Sequence, residues 1–308
     1  MTRVTPTPSR TASLSGRRAG FPRVTLAGAG AVGQTLAAFL DRGGAEVTLL
    51  VRRDPGPIRV GAHGRPRFTL PLATRRAAAP TDVLVLCVPS TALDPRWLAD
   101  LAAATGDATV VTLQPGLLDH ERIVAAFGAA RVVAGMFPLL AWSDEDGTTY
   151  WKPPFASLPL AGPRAAAVAP LFVAGGLPAR VVAGVRDKLA AGGALLDTHV
   201  AALARAGWSL RRLRSDRALL ALAHRASRES RRIAARHLGQ PVGAPPPRLL
   251  VELALAAAPR LVPFDLERFL EQHYTKVAAQ TRALLAATVE RGDALGLPTA
   301  ALAALAQP

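Results

Sequence analysis

The sequence predicts an α/β fold in which an N-terminal doubly wound parallel sheet of the Rossmann type is followed by an all-helical C-terminal domain. Strand and helix patterns alternate from Arg23 to about residue 182, and apolar residues recur at helical spacing from there to the end. The glycine-rich turn Ala27-Gly28-Ala29-Gly30-Ala31-Val32-Gly33 lies between the first strand and the first helix. A chain of 308 residues is long enough for two domains.

The elements of the first domain follow at the spacing of βαβ units. We expect strands over Arg23–Ala27, 46–51, 83–88, 108–113 and 131–137, and helices over 32–40, 96–104 and Asp119–Phe127. Residues 147–160 are extended and interrupted by prolines, which favours a hairpin or edge strands of the same sheet. Residues 185–240 and 248–306 should be helical, with the Gly- and Pro-rich segment 239–247 between them.

Composition limits the possible classes. Apolar runs are interrupted before they reach the length of a membrane span, so no membrane partner is expected. The single cysteine, Cys87, lies in an apolar strand pattern and indicates a core position in a reducing, cytoplasmic protein. The net charge of +15 is nearly all arginine, and residues 1–22 carry no acidic residue, so we expect a disordered basic leader there. No recognition helix or aromatic-basic motif favours a nucleic-acid partner.

The glycine turn is the principal candidate binding site. Gly28 permits the tight bend, Gly30 lets the backbone approach a pyrophosphate, and Gly33 allows close packing of the helix. The anion would then rest on the helix N-terminus, at the backbone of Ala31 and Val32. The pattern predicts a dinucleotide cofactor.

Arg52 and Arg53 directly follow the second strand, where an NAD enzyme would place an acidic residue. A guanidinium binds phosphate in a bidentate manner, so Arg52, with Arg53 as its neighbour, predicts recognition of a 2′-phosphate and hence NADPH. A solvated pair of loop arginines is the alternative, and the adjacent Asp54 is compatible with it.

These features resemble the ketopantoate reductase family over residues 23–306. The resemblance is carried by the glycine turn, Arg52, Leu113-Gln114-Pro115-Gly116 and Gly296-Leu297-Pro298-Thr299. It implies a Rossmann domain (23–182) that binds NADP, with Gln114 at the cofactor, and a helical domain (183–308) for substrate binding or dimerisation, with a homodimer as a possible state. It also implies hydride transfer from NADPH to a 2-oxo acid, a small carboxylate.

The sequence departs from that family where the substrate would bind. Pro115 replaces an asparagine, and Val88-Pro89-Ser90 lies where a lysine is usual. Lys188 corresponds to the catalytic lysine of the family, but Gly192 replaces the asparagine four residues later. Gln280 stands at the position of a substrate-binding glutamate. The resemblance therefore does not predict ketopantoate as the substrate.

A second candidate site lies on the helix expected over 265–291. At about 100° per residue, His273, Lys276 and Gln280 fall within an arc of about 60° beside an apolar stripe. Lys276 or His273 would protonate the nascent alkoxide or bind a carboxylate, and Gln280 would contact the substrate. The alternative is a solvated helix flank, and a surface position is equally open for Lys188.

Three other groups are weaker candidates. Tyr150-Trp151-Lys152 would line a pocket or simply pack, while Asp197 and His199 point to different sides of a helix and receive no role. No metal site is expected. The alternatives to a 2-oxo acid reductase are an opine- or imine-type dehydrogenase and a non-catalytic NADPH-binding sensor.

Overall fold

The computed structural model of the chain describes residues 22–307, so the expected leader lies outside the described residues except for Pro22. The strands in chain order are β1 (Arg23–Ala27), β2 (Glu46–Leu50), β3 (Ile58–Ala62), β4 (Phe68–Leu70), β5 (Ala73–Arg75), β6 (Val83–Leu86), β7 (Thr109–Thr112), β8 (Val132–Gly135), β9 (Leu140–Asp144), β10 (Gly147–Trp151), β11 (Leu158–Ala161) and β12 (Ala179–Val181). The helices that accompany them are α1 (Ala31–Arg42), α2 (Pro95–Thr105), α3 (Asp119–Phe127) and α4 (Ala165–Ala174).

Eight strands form the main sheet in the order β12-β11-β8-β7-β6-β1-β2-β5. All neighbours pair in parallel except β8 and β11, which are antiparallel. The chain leaves β1 toward β2 on one side and returns to β6 on the other, so the carboxyl end of β1 lies at the switch point where doubly wound sheets bind ligands. The predicted fold class is confirmed.

A second sheet of four strands, in the order β4-β3-β10-β9, was not predicted. The expected hairpin over 147–160 is therefore divided, because β10 joins this small sheet and only β11 joins the main one. The small sheet packs on α1: the buried Tyr150 ring lies 5.2 Å from the ring of Phe39. Burial of these two aromatic rings holds β10 against α1 instead of at the edge of the main sheet.

Both faces of the main sheet are covered. One face packs Leu26 and Leu49 against Leu36 of α1 and Phe172 of α4, and the other packs apolar residues of β6 and β7 against α2 and α3. Cys87 follows β6, and burial raises the pKa of its thiol to about 12. A thiol in that state is a packing group and not a nucleophile.

After β12 the chain is helical, with a boundary close to residue 182, where we expect the two domains to meet. The helices are α5 (Val185–Arg205), α6 (Leu210–Ser215), α7 (Arg217–Leu238), α8 (Arg248–Leu261), α9 (Leu266–Lys276), α10 (Ala278–Ala294) and α11 (Ala300–Ala306). Buried residues of α5, α7 and α11 form the core of this domain, among them Leu203, Leu220 and Leu302. None of the described helices is long and apolar enough to cross a membrane. Residues 22–307 contain no group of three His, Cys, Asp or Glu side chains placed to hold a metal ion.

Candidate active site

The glycine turn follows β1 at the switch point of the sheet. Gly28 has φ of 112°, and a Cβ added there would lie 2.9 Å from the carbonyl oxygen of Cys87. Gly33 lies in the first turn of α1 and packs directly on Gly28. Gly30 is the N-cap of α1 and has open space where a Cβ would stand. The two tight glycines shape the turn, and the third leaves its outer surface free.

This free surface fits a pyrophosphate. The first turn of α1 begins at Ala31 and Val32 and contains no acidic residue, and no side chain caps it. Its unpaired N–H groups and the helix dipole favour an anion. Gln34 is engaged within the protein: it donates to the carbonyl oxygen of Ala29 at 2.9 Å and accepts from the hydroxyl of Thr148 at 2.8 Å. The small sheet thereby supports the turn.

Arg52 and Arg53 are exposed and follow Val51, the last buried residue after β2. Neither has an ion-pair partner among residues 22–307. Asp54 is turned toward its own loop, where its Oδ1 accepts from the backbone N–H of Gly56 at 2.9 Å. Both guanidinium groups are thus available to an anionic ligand at this end of the sheet.

Gln114 is buried and joins the ends of β6 and β7. Its amide nitrogen donates to the carbonyl oxygens of Leu86 and Val88 at 3.2 and 2.9 Å. Its amide oxygen accepts from the hydroxyl of Thr112 at 2.6 Å. The side chain therefore acts on the shape of the two loops, and its predicted place at the cofactor corresponds to a position beside these loop backbones.

Asp119, the first residue of α3, connects the same two loops and was missed by the sequence analysis. Its Oδ2 accepts from the hydroxyl of Ser90 at 2.5 Å and from the backbone N–H of Gly116 at 2.9 Å. A Cβ on Gly116 would collide with this carboxylate and with Leu284 of α10. An acidic residue at the start of a helix, three residues after a glycine, was the available signal.

Gln280 brings the helical domain to this edge of the sheet. Its Oε1 accepts a hydrogen bond from the backbone N–H of Ser90 in the turn after β6. The side chain that the resemblance places at a substrate is thus bonded to the Rossmann domain.

The helix expected over 265–291 is broken at Val277 into α9 and α10. The shared arc predicted for His273, Lys276 and Gln280 is therefore wrong, because it assumed one continuous helix. The physical reason is that the two halves dock on different surfaces. Phe269 in α9 packs with its ring centroid 5.5 Å from that of Trp142 in the small sheet, whereas Gln280 and Leu284 in α10 contact the loops of the main sheet.

His273 lies between Phe269 and Tyr274, with ring centroids 5.6 and 4.9 Å away. Burial, reinforced by the charge of Lys276, lowers the pKa of His273. Lys276 itself is exposed at the end of α9, and Lys188 is exposed in the first turn of α5. The structure thus brings His273 and Lys276 into the same field but gives Gln280 a separate role.

Aromatic side chains, and not a polar cleft wall, join α9 to the small sheet. Phe264 lies 5.1 Å from Trp142 and 5.8 Å from Trp151, measured between ring centroids. His63 belongs to the same group and lies 5.4 Å from Phe264. Trp151 is therefore a packing residue of the domain contact.

Asp197 on α5 is a second residue that sequence reasoning missed. A Cβ on Gly193, one turn earlier, would lie 3.6 Å from Asp197 Oδ2 and 3.7 Å from the carbonyl oxygen of Pro115. This face of α5 therefore meets the loop after β7. Burial raises the pKa of Asp197 to about 7, and its charge contributes to the raised pKa of Tyr274. No sequence signal reveals this, because the burial comes from packing between α5 and α9.

Comparison with known proteins agrees with this architecture. Residues 24–156 match the family model described as ketopantoate reductase PanE/ApbA. Curated protein sequences give no significant match.

Solved structures share the fold over both domains. A PanE/ApbA family ketopantoate reductase from Ralstonia eutropha JMP134 is 22% identical with a TM-score of 0.74, covering 92% of this chain and 96% of its own. The 2-dehydropantoate 2-reductase from Geobacter metallireducens GS-15 is 20% identical with a TM-score of 0.70, covering 92% and 97%. A D-mandelate dehydrogenase with NADH and anilino(oxo)acetate is 15% identical with a TM-score of 0.76, covering 92% and 96%.

The resemblance seen in the sequence is confirmed. The Rossmann domain of this chain belongs to the PanE/ApbA ketopantoate reductase family, and the helical domain that follows completes the fold shared with these relatives.

Proposed function

We propose that this protein is an NADPH-dependent oxidoreductase that reduces a 2-oxo acid to a 2-hydroxy acid. The observation that supports this most is the open surface of Gly30 at the N-terminus of α1, in a domain of this family. In the reaction the nicotinamide supplies a hydride to the carbonyl carbon, and the protein must supply one proton to the carbonyl oxygen.

The preference for NADPH rests on Arg52, with Arg53 beside it. Both side chains are exposed at the end of β2 and have no acidic partner in the described part of the chain. A 2′-phosphate would supply that partner. The distantly related D-mandelate dehydrogenase was solved with NADH, so the ratio of the two affinities is the quantity to measure.

Titration of NADPH and NADH into wild type and Arg52→Ala tests the cofactor assignment. Loss of a charge-assisted phosphate contact should weaken NADPH binding about tenfold or more and leave NADH binding nearly unchanged. Arg65→Ala, an exposed arginine in the turn between β3 and β4, is the matched control. Equal loss of both cofactors in Arg52→Ala would contradict the assignment.

Three side chains are proposed as the proton donor or carboxylate contact: Lys276, Lys188 and His273. Burial lowers the pKa of His273, which favours its neutral form and makes the lysines the better cationic groups. Asp197, with its pKa raised to about 7, is an additional donor that the structure suggests.

The chain has only three lysines, which gives the mutational test an internal control. NADPH oxidation should be measured across a series of 2-oxo acids with Lys188→Ala, Lys276→Ala and Lys152→Ala, the last being exposed in the loop after β10. A proton donor should lower kcat by about 100-fold or more when removed. Rates that stay unchanged in both Lys188→Ala and Lys276→Ala would remove the lysines from the mechanism.

A non-catalytic NADPH-binding sensor is the second candidate function. It is favoured by the amide of Gln280, which bonds to Ser90 instead of facing a ligand. Tight NADPH binding without oxidation by any 2-oxo acid would support the sensor. Turnover only when ammonia or an amine is added would favour the opine- or imine-type dehydrogenase.

The homodimer also remains a proposal. Leu249, Leu253 and Leu261 of α8 are each more than half exposed, which is compatible with a partner subunit.

A further inference from the structure

A pocket lies where the loop after β7 meets α3, α5 and the end of α7. Its volume is about 370 Å³ including its open mouth. The residues that bear on its chemistry are Thr112, Gly116, His120, Arg186, Ala190 and Leu238. It therefore touches both domains, at the carboxyl edge of the sheet where doubly wound folds bind ligands.

Two nitrogen atoms in this pocket have no hydrogen-bond partner. They are Nη2 of Arg186 and Nδ1 of His120, and both atoms are buried. An unpaired buried polar group costs about 1–3 kcal/mol, so native proteins seldom keep one without a water, an ion or a ligand to satisfy it. Two such atoms in one pocket indicate a missing polar partner.

The nearest carboxylate does not fill this role. Glu121 Oε1 lies 3.6 Å from Arg186 Nη2, which is beyond hydrogen-bond distance, and 2.8 Å from Nε2 of His237. Arg291 donates to Nδ1 of the same imidazole at 3.0 Å, so His237 is neutral and its proton faces Glu121. The side chain of Glu121 is also half exposed, which weakens its hold on Arg186.

The charge of the pocket favours an anion. Arg186 is cationic, and burial together with that charge lowers the pKa of His120. A neutral His120 can donate one hydrogen bond from Nδ1 without adding repulsion between two cations. A guanidinium beside a single neutral donor matches the two oxygens of a carboxylate.

We propose that this pocket binds the carboxylate of a small 2-oxo acid, with Arg186 and His120 as its ligands. The identity of the acid rests on the proposed function, whereas carboxylate binding itself does not. Arg186 and Lys188 are two residues apart on α5 and so point to different sides of the helix. The site is therefore built from side chains other than the lysine that the family resemblance indicates.

The test uses the full chain without cofactor and measures binding by calorimetry. The probe is oxamate, an analogue in which an amide replaces the reducible ketone, and propionamide is its uncharged counterpart. Wild type should bind oxamate and not propionamide, and Arg186→Gln should weaken oxamate binding about tenfold or more. Arg180→Gln, an exposed arginine on β12, should behave as wild type.

Ala190→Leu provides a second variant if Arg186→Gln fails to fold. It fills the pocket without removing a charge and should also abolish oxamate binding. No oxamate binding to wild type, or unchanged binding to either folded variant, would overturn the proposal.

Steady-state kinetics then identify the source of the carboxylate. If the 2-oxo acid occupies this pocket, oxamate competes with it, and Arg186→Gln raises KM more than it lowers kcat. Oxamate binding that depends on Arg186, in a protein that reduces no 2-oxo acid, would support the carboxylate site and contradict the proposed function.

Discussion

A Cβ added to Gly33 would lie 2.0 Å from the carbonyl oxygen of Gly28, so the first turn of α1 cannot accommodate a side chain where it meets the end of β1. Gly30, three residues earlier, has nothing within 4 Å of the same position. The two glycines therefore separate folding from binding within one turn.

Gly33→Ala should lower the free energy of unfolding by about 3 kcal/mol, because backbone atoms must move to admit the methyl group. Gly30→Ala should stay within about 0.5 kcal/mol of wild type, since its φ of −75° suits alanine, but should weaken NADPH binding about tenfold. Denaturant unfolding and cofactor titration measure the two effects. Normal NADPH binding by Gly30→Ala would show that no pyrophosphate approaches this turn.

Gln280→Ala should destabilise the protein by about 1–2 kcal/mol, because the backbone N–H of Ser90 loses its acceptor. The matched control is Gln272→Ala, which removes an exposed glutamine from α9. Denaturant midpoints of the two variants give the comparison. Equal midpoints would mean that the contact between α10 and the turn after β6 adds nothing to stability.

Phe269→Ala should cost about 3 kcal/mol, because it removes a buried ring packed against Trp142 and Phe264. Phe155 is fully exposed, and Phe155→Ala should change stability by less than about 0.5 kcal/mol. Thermal unfolding, followed by tryptophan fluorescence, reports both stability and the loosening of Trp142. A Phe269→Ala protein as stable as Phe155→Ala would remove the aromatic contact from the account.

Asp197 should make stability depend on pH in the direction opposite to most carboxylates. Its pKa is raised to about 7, so the folded state holds the proton more tightly than the unfolded state does. Stability should fall as pH rises from about 4 to about 7, and Asp197→Asn should remove this slope. The variant should then be more stable than wild type at about pH 8. Parallel pH profiles for the two proteins would contradict the burial of this carboxyl group.

Much of the first domain can be predicted from local sequence. The glycine turn and the strands that flank it follow from short-range patterns, and Arg52 lies at the end of β2 as expected. The helical character of residues after Val185 also follows from periodicity. These features depend on neighbours that lie close together in the chain.

The remaining features depend on distant contacts. Strand β3 pairs with β10, so the small sheet is defined by residues far apart in sequence. The break at Val277 arises because α9 and α10 dock on different surfaces, which helical periodicity alone cannot reveal. The same is true of Gln280, whose partner Ser90 lies in the other domain, and of Arg186, whose pocket is completed by α3.

The central claim is hydride transfer from NADPH to a 2-oxo acid, and isotopic labelling tests it most directly. NADPH carrying deuterium at C4 of the nicotinamide should be incubated with the protein and the 2-oxo acid, and the product analysed by mass spectrometry. The account predicts a 2-hydroxy acid with one deuterium on the carbon that was the ketone, formed by wild type and strongly reduced in Gly30→Ala. NADPH that is bound but never transfers its label to any 2-oxo acid would contradict it.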